Sequence, residues 1–94
     1  MSKSIMQEEK ACYVTGFTSG LHKHHIFGGA NRKKSEHYGL WIWLRSDWHN
    51  LADYGIHSDK KLDLKIKRLA QSMLEEQVEW NRARFIKEFG RSWL

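Results

Sequence analysis

A chain of 94 residues with 40% apolar content buries only about two-thirds of its unfolded surface on folding, so it makes one compact domain, 1–94, with room for one site. A single cysteine, Cys12, excludes an intramolecular disulfide, and the longest uninterrupted apolar run, Leu40 to Leu44, is too short to span a membrane. Sixteen Lys plus Arg against eleven Asp plus Glu give a formal charge of +5, which favours a polyanionic partner without identifying one.

The first ten residues, MSKSIMQEEK, lack the apolar core of a signal peptide, so a cytoplasmic location is expected. From Leu21 to Phe27 the run LHKHHIF is short, partly β-branched and bounded by Gly20 and by Gly28-Gly29, which predicts a strand. A second strand is predicted at LWIWL, residues 40–44. The connection 28–38 is rich in glycine and charge and too long for a tight turn, so it is expected to form an Ω-loop across a splayed hairpin. After Ser58, apolar residues recur at Leu62, Ile66, Leu69 and Met73, spacings that place them on one face of a long helix capped by Ser58 or Asp59. Asn81 is placed to cap a short last helix carrying Phe85, Ile86 and Phe89, with Gly90 as a left-handed terminator. The expected class is therefore α+β: a hairpin packed on a long helix, plus a short C-terminal helix. Five tryptophans and no proline suit a thin core that needs large side chains to fill it.

Six histidines are present, and five lie between His22 and His49. His24 and His25 end the first strand, His49 follows the second, and His57 precedes the long helix. A hairpin packed on a helix brings those three places together, and imidazole nitrogens suit divalent transition metals. Imidazole also titrates near neutrality, so it serves as ligand at one position and as general base at another. Taken alone, adjacent histidines on a strand point to opposite faces, one buried and one towards solvent with no metal, and His49 and His57 would cap or hydrate. His22 and His37 are read as surface residues. Arg32-Lys33-Lys34 is either a solvated charge run or a clamp on phosphates, and the basic helix start that includes Lys61 and Lys65 is either a solvated face or a backbone contact.

The segments LHKHHIFGG, LWIWLRSDWHN and YGIH together resemble the HNH endonucleases of the ββα-metal kind, in particular small phage-type members whose first strand ends in HHI before a glycine-bearing loop. The resemblance runs from Cys12 to the long helix. It implies a metal-dependent DNA endonuclease or nickase, with DNA as partner, that leaves 5′-phosphate ends and uses one divalent metal ion such as Mg, Mn, Ni or Zn. By position, His24 is implied as a metal ligand, His25 as the general base, and His49 and His57 as further ligands. Arg32, Lys33, Lys34, Lys61 and Lys65 are the candidate DNA contacts. A single motif addresses one strand, so nicking is expected from a monomer.

Two positions depart from the family. Many relatives bind a structural zinc through two CxxC pairs, whereas the matching residues here are Cys12-Tyr13-Val14-Thr15 and Arg45-Ser46-Asp47-Trp48, so no structural zinc is expected. Gly39 stands near the place of the family's middle asparagine, leaving Asn50 or Asn31 as the loop-fixing residue. The rival expectation is a degenerate HNH fold that binds DNA or a protein without cleaving, for example as a phage-encoded inhibitor.

Overall fold

The computed structural model describes residues 3–46 and 60–94. Strand β1, Leu21–His25, pairs antiparallel with β2, Trp41–Arg45, in a register running from Leu21 opposite Arg45 to His25 opposite Trp41. The expected α+β class holds. Alternation along the strands sets His24, Ile42 and Leu44 on the inner face, all buried. Lys23, His25, Trp41 and Trp43 share the outer face. There the two indoles meet edge to face at 5.4 Å, and the Lys23 ammonium lies 4.1 Å from the centre of the Trp41 ring.

β1 stops two residues before the expected end, and the connection is not an Ω-loop. A 3-10 turn, Gly29–Asn31, leads into helix α1, Arg32–His37. The reason lies in Ser35, a fully buried polar residue. Its hydroxyl accepts from Phe27 N at 3.0 Å and donates to Leu40 O at 2.8 Å, while Leu40 N donates to Ser35 O at 2.8 Å. The ladder itself runs one bond further, Ile26 N donating to Leu40 O at 3.0 Å, and the Ser35 bonds then take up Phe27 N and Leu40 N and splice α1 between the strands. Ile26 and Phe27 then turn inward, with 2% and 1% of their surface exposed.

Gly39 closes this excursion at φ +76°. A Cβ on Gly39 would stand 2.3 Å from the Lys3 carbonyl oxygen, because the N-terminal segment crosses directly over it and Ile5 N donates to Gly39 O at 2.9 Å. No side chain fits there unless the N-terminal segment moves.

Helix α2, Lys60–Glu75, buries Ile66, Ala70, Gln71 and Leu74, with Leu62 and Met73 half-buried against the core. Leu69, expected on that face, is exposed. Ala70, one position along, is fully buried instead. Ser58 and Asp59 lie outside the described residues. Buried Gln71 accepts from Trp93 N at 2.7 Å and donates to Ser92 Oγ at 2.9 Å, which straps the C-terminal tail onto α2. Helix α3, Arg82–Phe89, is capped as expected: the Asn81 side chain accepts from Arg84 N at 2.8 Å, and Gly90 ends it at φ +89°.

Ile42 and Leu44 of the sheet, Ile66, Ala70 and Leu74 of α2, and Phe85 and Phe89 of α3 form one apolar cluster. Phe27 anchors its aromatic part, with ring centres 5.7 Å from Phe85, 5.1 Å from Phe89 and 4.6 Å from Trp93. Trp80 and Trp93 pack at its edge, consistent with tryptophan as core filler. No helix among the described residues is long and apolar enough to cross a membrane.

Cys12 is buried. Its sulfur accepts N–H bonds from Thr15 at 3.4 Å and Arg45 at 3.3 Å, the two positions where the resemblance would place the next cysteine of the first pair and the first of the second. Burial pushes the thiol up, but the hydrogen bonds from Thr15, Arg45 and Val14 outweigh it and the net shift is downward. The N-terminal turn is thus joined to the exit of β2 by hydrogen bonds to one sulfur.

Two substitutions test this account. Ser35→Ala strips the partner from the buried Phe27 N, while Leu40 O keeps its bond from Ile26 N, and should cost about 1–3 kcal/mol, the usual range for one buried group left unpaired, measured by chemical denaturation. Gly39→Ala combines a left-handed backbone with a collision against backbone, and should cost more than the ~1–2 kcal/mol of the conformation alone. A loss below that would mean the N-terminal segment does not cross Gly39.

Candidate functional site

The end of β1 and the start of α2 enclose a cavity of about 200 Å³, lined by His24, His25 and Gly28 from the hairpin and by Lys60, Asp63 and Lys67 from α2. His24 reaches it from the inner face, with only 5% of its surface exposed. Asp63 holds Lys67 one turn along at 2.8 Å, so its carboxylate is already oriented. A second cavity, about 420 Å³, is lined by His25, Arg32, Lys33 and Glu36. His25 is common to both. The imidazole stands between an imidazole and carboxylate on one side and an arginine and lysine on the other.

His25 is also held. Its Nε2 lies 3.0 Å from Glu36 Oε1, and the Lys23 ammonium donates to both oxygens of that carboxylate at 3.1 and 3.4 Å. The hydrogen bond from His25 holds the Glu36 carboxyl below its ordinary value, against burial, and the Lys23 hydrogen bond and charge add to the effect. Lys23 is fixed in turn over the face of Trp41. The whole arrangement lies on the outer face, where β1 meets α1.

Of the residues expected at the site, His24 and His25 line the same cavity, and Arg32 and Lys33 flank His25. Lys34 is turned elsewhere: it donates to the Glu88 carbonyl oxygen and stands 3.8 Å from the Glu88 carboxylate, tying α1 to α3. Asn31 makes a similar tie, donating to Phe89 O at 3.0 Å. Lys61 is exposed and lines neither cavity, and Lys65 borders an apolar groove with Tyr13 and Leu69. In α2 it is Lys60 and Lys67 that face the histidines. His22 and His37 are exposed, as expected. His49, Asn50 and His57 lie outside the described residues.

Two residues escaped the sequence reading. Asp63 sits among five basic residues at the start of α2 and was masked by them; its place one turn into the helix, facing the strand end, is the signal. Glu36 was hidden because 28–38 was read as a loop, whereas a helix over RKKSEH turns Glu36 towards β1.

The donors suit a divalent ion in kind, since imidazole and carboxylate are common ligands for transition metals. Among the described residues no three His, Cys, Asp or Glu side chains stand close enough to hold one.

The depressed Glu36 carboxyl has a consequence for acid stability. A group whose folded pKa is lowered contributes stability that is present above its ordinary value of 4.5 and is lost as pH falls through the lower folded value. Glu36→Gln should therefore lose less stability than the wild type on acidification below that point, in denaturation curves taken at successive pH values. Equal losses would mean that Glu36 is not engaged.

Comparison of the chain with protein-family models, with curated proteins and with solved structures finds no match.

Proposed function

We propose that this chain is a metal-dependent DNA endonuclease that nicks one strand through an HNH-type site. The observation that carries the reading is the position of His25 between the His24–Asp63 cavity and the Arg32–Lys33 cavity. A base that takes a proton from water beside a phosphodiester is served by groups nearby that stabilise developing negative charge and hold the phosphate.

In this reading His24 and Asp63, with His49 and His57, hold a divalent ion, and Arg32, Lys33 and Lys60 hold the DNA backbone. Those cations neutralise phosphates without reading bases, so binding is electrostatic. His25 takes the proton of a water molecule as its oxygen forms a bond to phosphorus. The bond to the 3′-oxygen breaks on the opposite side, leaving a 5′-phosphate and a 3′-hydroxyl once a proton is returned to the leaving oxygen. A bound divalent ion supplies Lewis-acid polarisation of a non-bridging oxygen and stabilises the charge on the leaving oxygen. Cations on both sides of His25 draw the polyanion to it.

The test is supercoiled plasmid incubated with protein and Mg²⁺, Mn²⁺, Ni²⁺ or Zn²⁺. Nicking is expected, and His25→Ala should slow it by ~10² to 10⁴-fold, the usual worth of a general base, with metal affinity intact by calorimetry. His24→Ala and Asp63→Ala should instead weaken metal binding, so that activity partly returns at high metal concentration. Protein that binds metal and DNA but leaves the plasmid intact under all four metals would be a DNA-occupying module.

The contacts have a separate signature. Removing Arg32 and Lys33 together should reduce the slope of log affinity against log salt by about 1 to 2, since each phosphate contact contributes about 0.9. Lys34→Ala should leave the slope unchanged. Affinity that stays flat with salt would point to a partner other than nucleic acid.

A further inference from the structure

Resting on the nuclease reading of His25, we infer that Glu36 is its positioning residue: the carboxylate fixes the neutral imidazole as the Nε2–H tautomer and leaves Nδ1 as the nitrogen that accepts the proton from water.

The argument begins with the bond itself. Glu36 Oε1 lies 3.0 Å from His25 Nε2, and an ionised carboxylate only accepts hydrogen bonds. A neutral imidazole carries one proton, so Nε2 must hold it to make this contact. The ring's lone pair is then on Nδ1, and which nitrogen can act as base is settled by what the other one bonds.

Glu36 is well placed for that task because its own position is determined in two ways. Ser35, the preceding residue, is locked between Phe27 and Leu40 by its buried hydroxyl, which sets the phase of α1. Lys23 clamps both carboxylate oxygens at 3.1 and 3.4 Å. Lys23 is itself seated on Trp41 at 4.1 Å, and Trp41 is the cross-strand neighbour of His25. The His25 side chain is only 12% exposed, so few other orientations are open to it. A partner that orients a functional histidine in this way is worth about 10–100-fold in activity.

The experiment uses the full chain and reads the tautomer and the rate separately. Nitrogen-15 NMR of the His25 ring, at a pH where the imidazole is neutral, should show the Nε2–H tautomer in the wild type. Glu36→Ala should lose that preference, and Glu36→Gln, whose amide oxygen still accepts, should keep it. In plasmid nicking at saturating metal, Glu36→Ala should lower kcat about 10–100-fold with KM unchanged, and Glu36→Gln should recover most of the loss. On a His25→Ala background Glu36→Ala should have no further effect, because it acts only through that ring. A wild-type Nδ1–H tautomer, or a tautomer indifferent to Glu36→Ala, overturns the inference. If nicking is absent while the tautomer follows Glu36, the nuclease reading falls and the positioning of His25 by Glu36 stands.

Discussion

The arrangement depends on the buried Ser35 hydroxyl. The ladder runs one bond past the strands, Ile26 N donating to Leu40 O, and the hydroxyl then takes up Phe27 N and gives Leu40 O a second donor, so the chain leaves the sheet, forms the short helix α1 and returns with these buried backbone groups paired. Three consequences follow from that one substitution of side chain for backbone. Phe27 is directed into the aromatic cluster with Phe85, Phe89 and Trp93. Arg32 and Lys33 are placed on an exposed helix beside β1, and Glu36 is turned towards His25. Helix α1 is too short to be stable alone, so it is also pinned to the end of α3 by Asn31, Lys34 and Tyr38.

The sheet is the other constraint. Two strands cannot form an independent sheet in water, and here the inner face is closed by α2 and α3 while the outer face is closed by Trp41, Trp43 and the lysine over them. Because neighbouring residues alternate between faces, His24 and His25 belong to different environments. Only at the strand's end can the second of them also reach the cavity that the first one lines. A site that uses both must be at that end, and the start of α2 is what meets it there. The cations distribute accordingly: Lys60 and Lys67 on the α2 side, Arg32 and Lys33 on the α1 side.

Much of the fold was legible because its signals are local. Asn81 and Gly90 bracket α3 by cap chemistry that depends on nothing distant, and the strand runs are delimited by glycine. What could not be read depended on tertiary partners. RKKSEH is as good a solvated loop as a helix until Ser35 finds Phe27 and Leu40, and whether the buried stripe of α2 passes through Leu69 or Ala70 is decided by what the helix packs against. At the site, the histidine pair was visible as a motif, whereas Glu36 and Asp63 are ordinary acids in basic surroundings and acquire meaning only from what they face. The separation of Lys34 from Arg32 and Lys33 was invisible for the same reason, since its partner Glu88 is 54 positions away.

The proposed function requires the cavity between the end of β1 and the start of α2 to take a divalent cation, with His25 at its border. The most direct measurement is titration of nitrogen-15-labelled protein with Mn²⁺, followed by paramagnetic broadening of amide signals. The account predicts that His24, Gly28 and Asp63 broaden first, ahead of Arg32, Lys33 and the remote acids Glu8 and Glu9. Broadening confined to Glu8, Glu9 or other surface carboxylates, with His24 and Asp63 sharp, would contradict it.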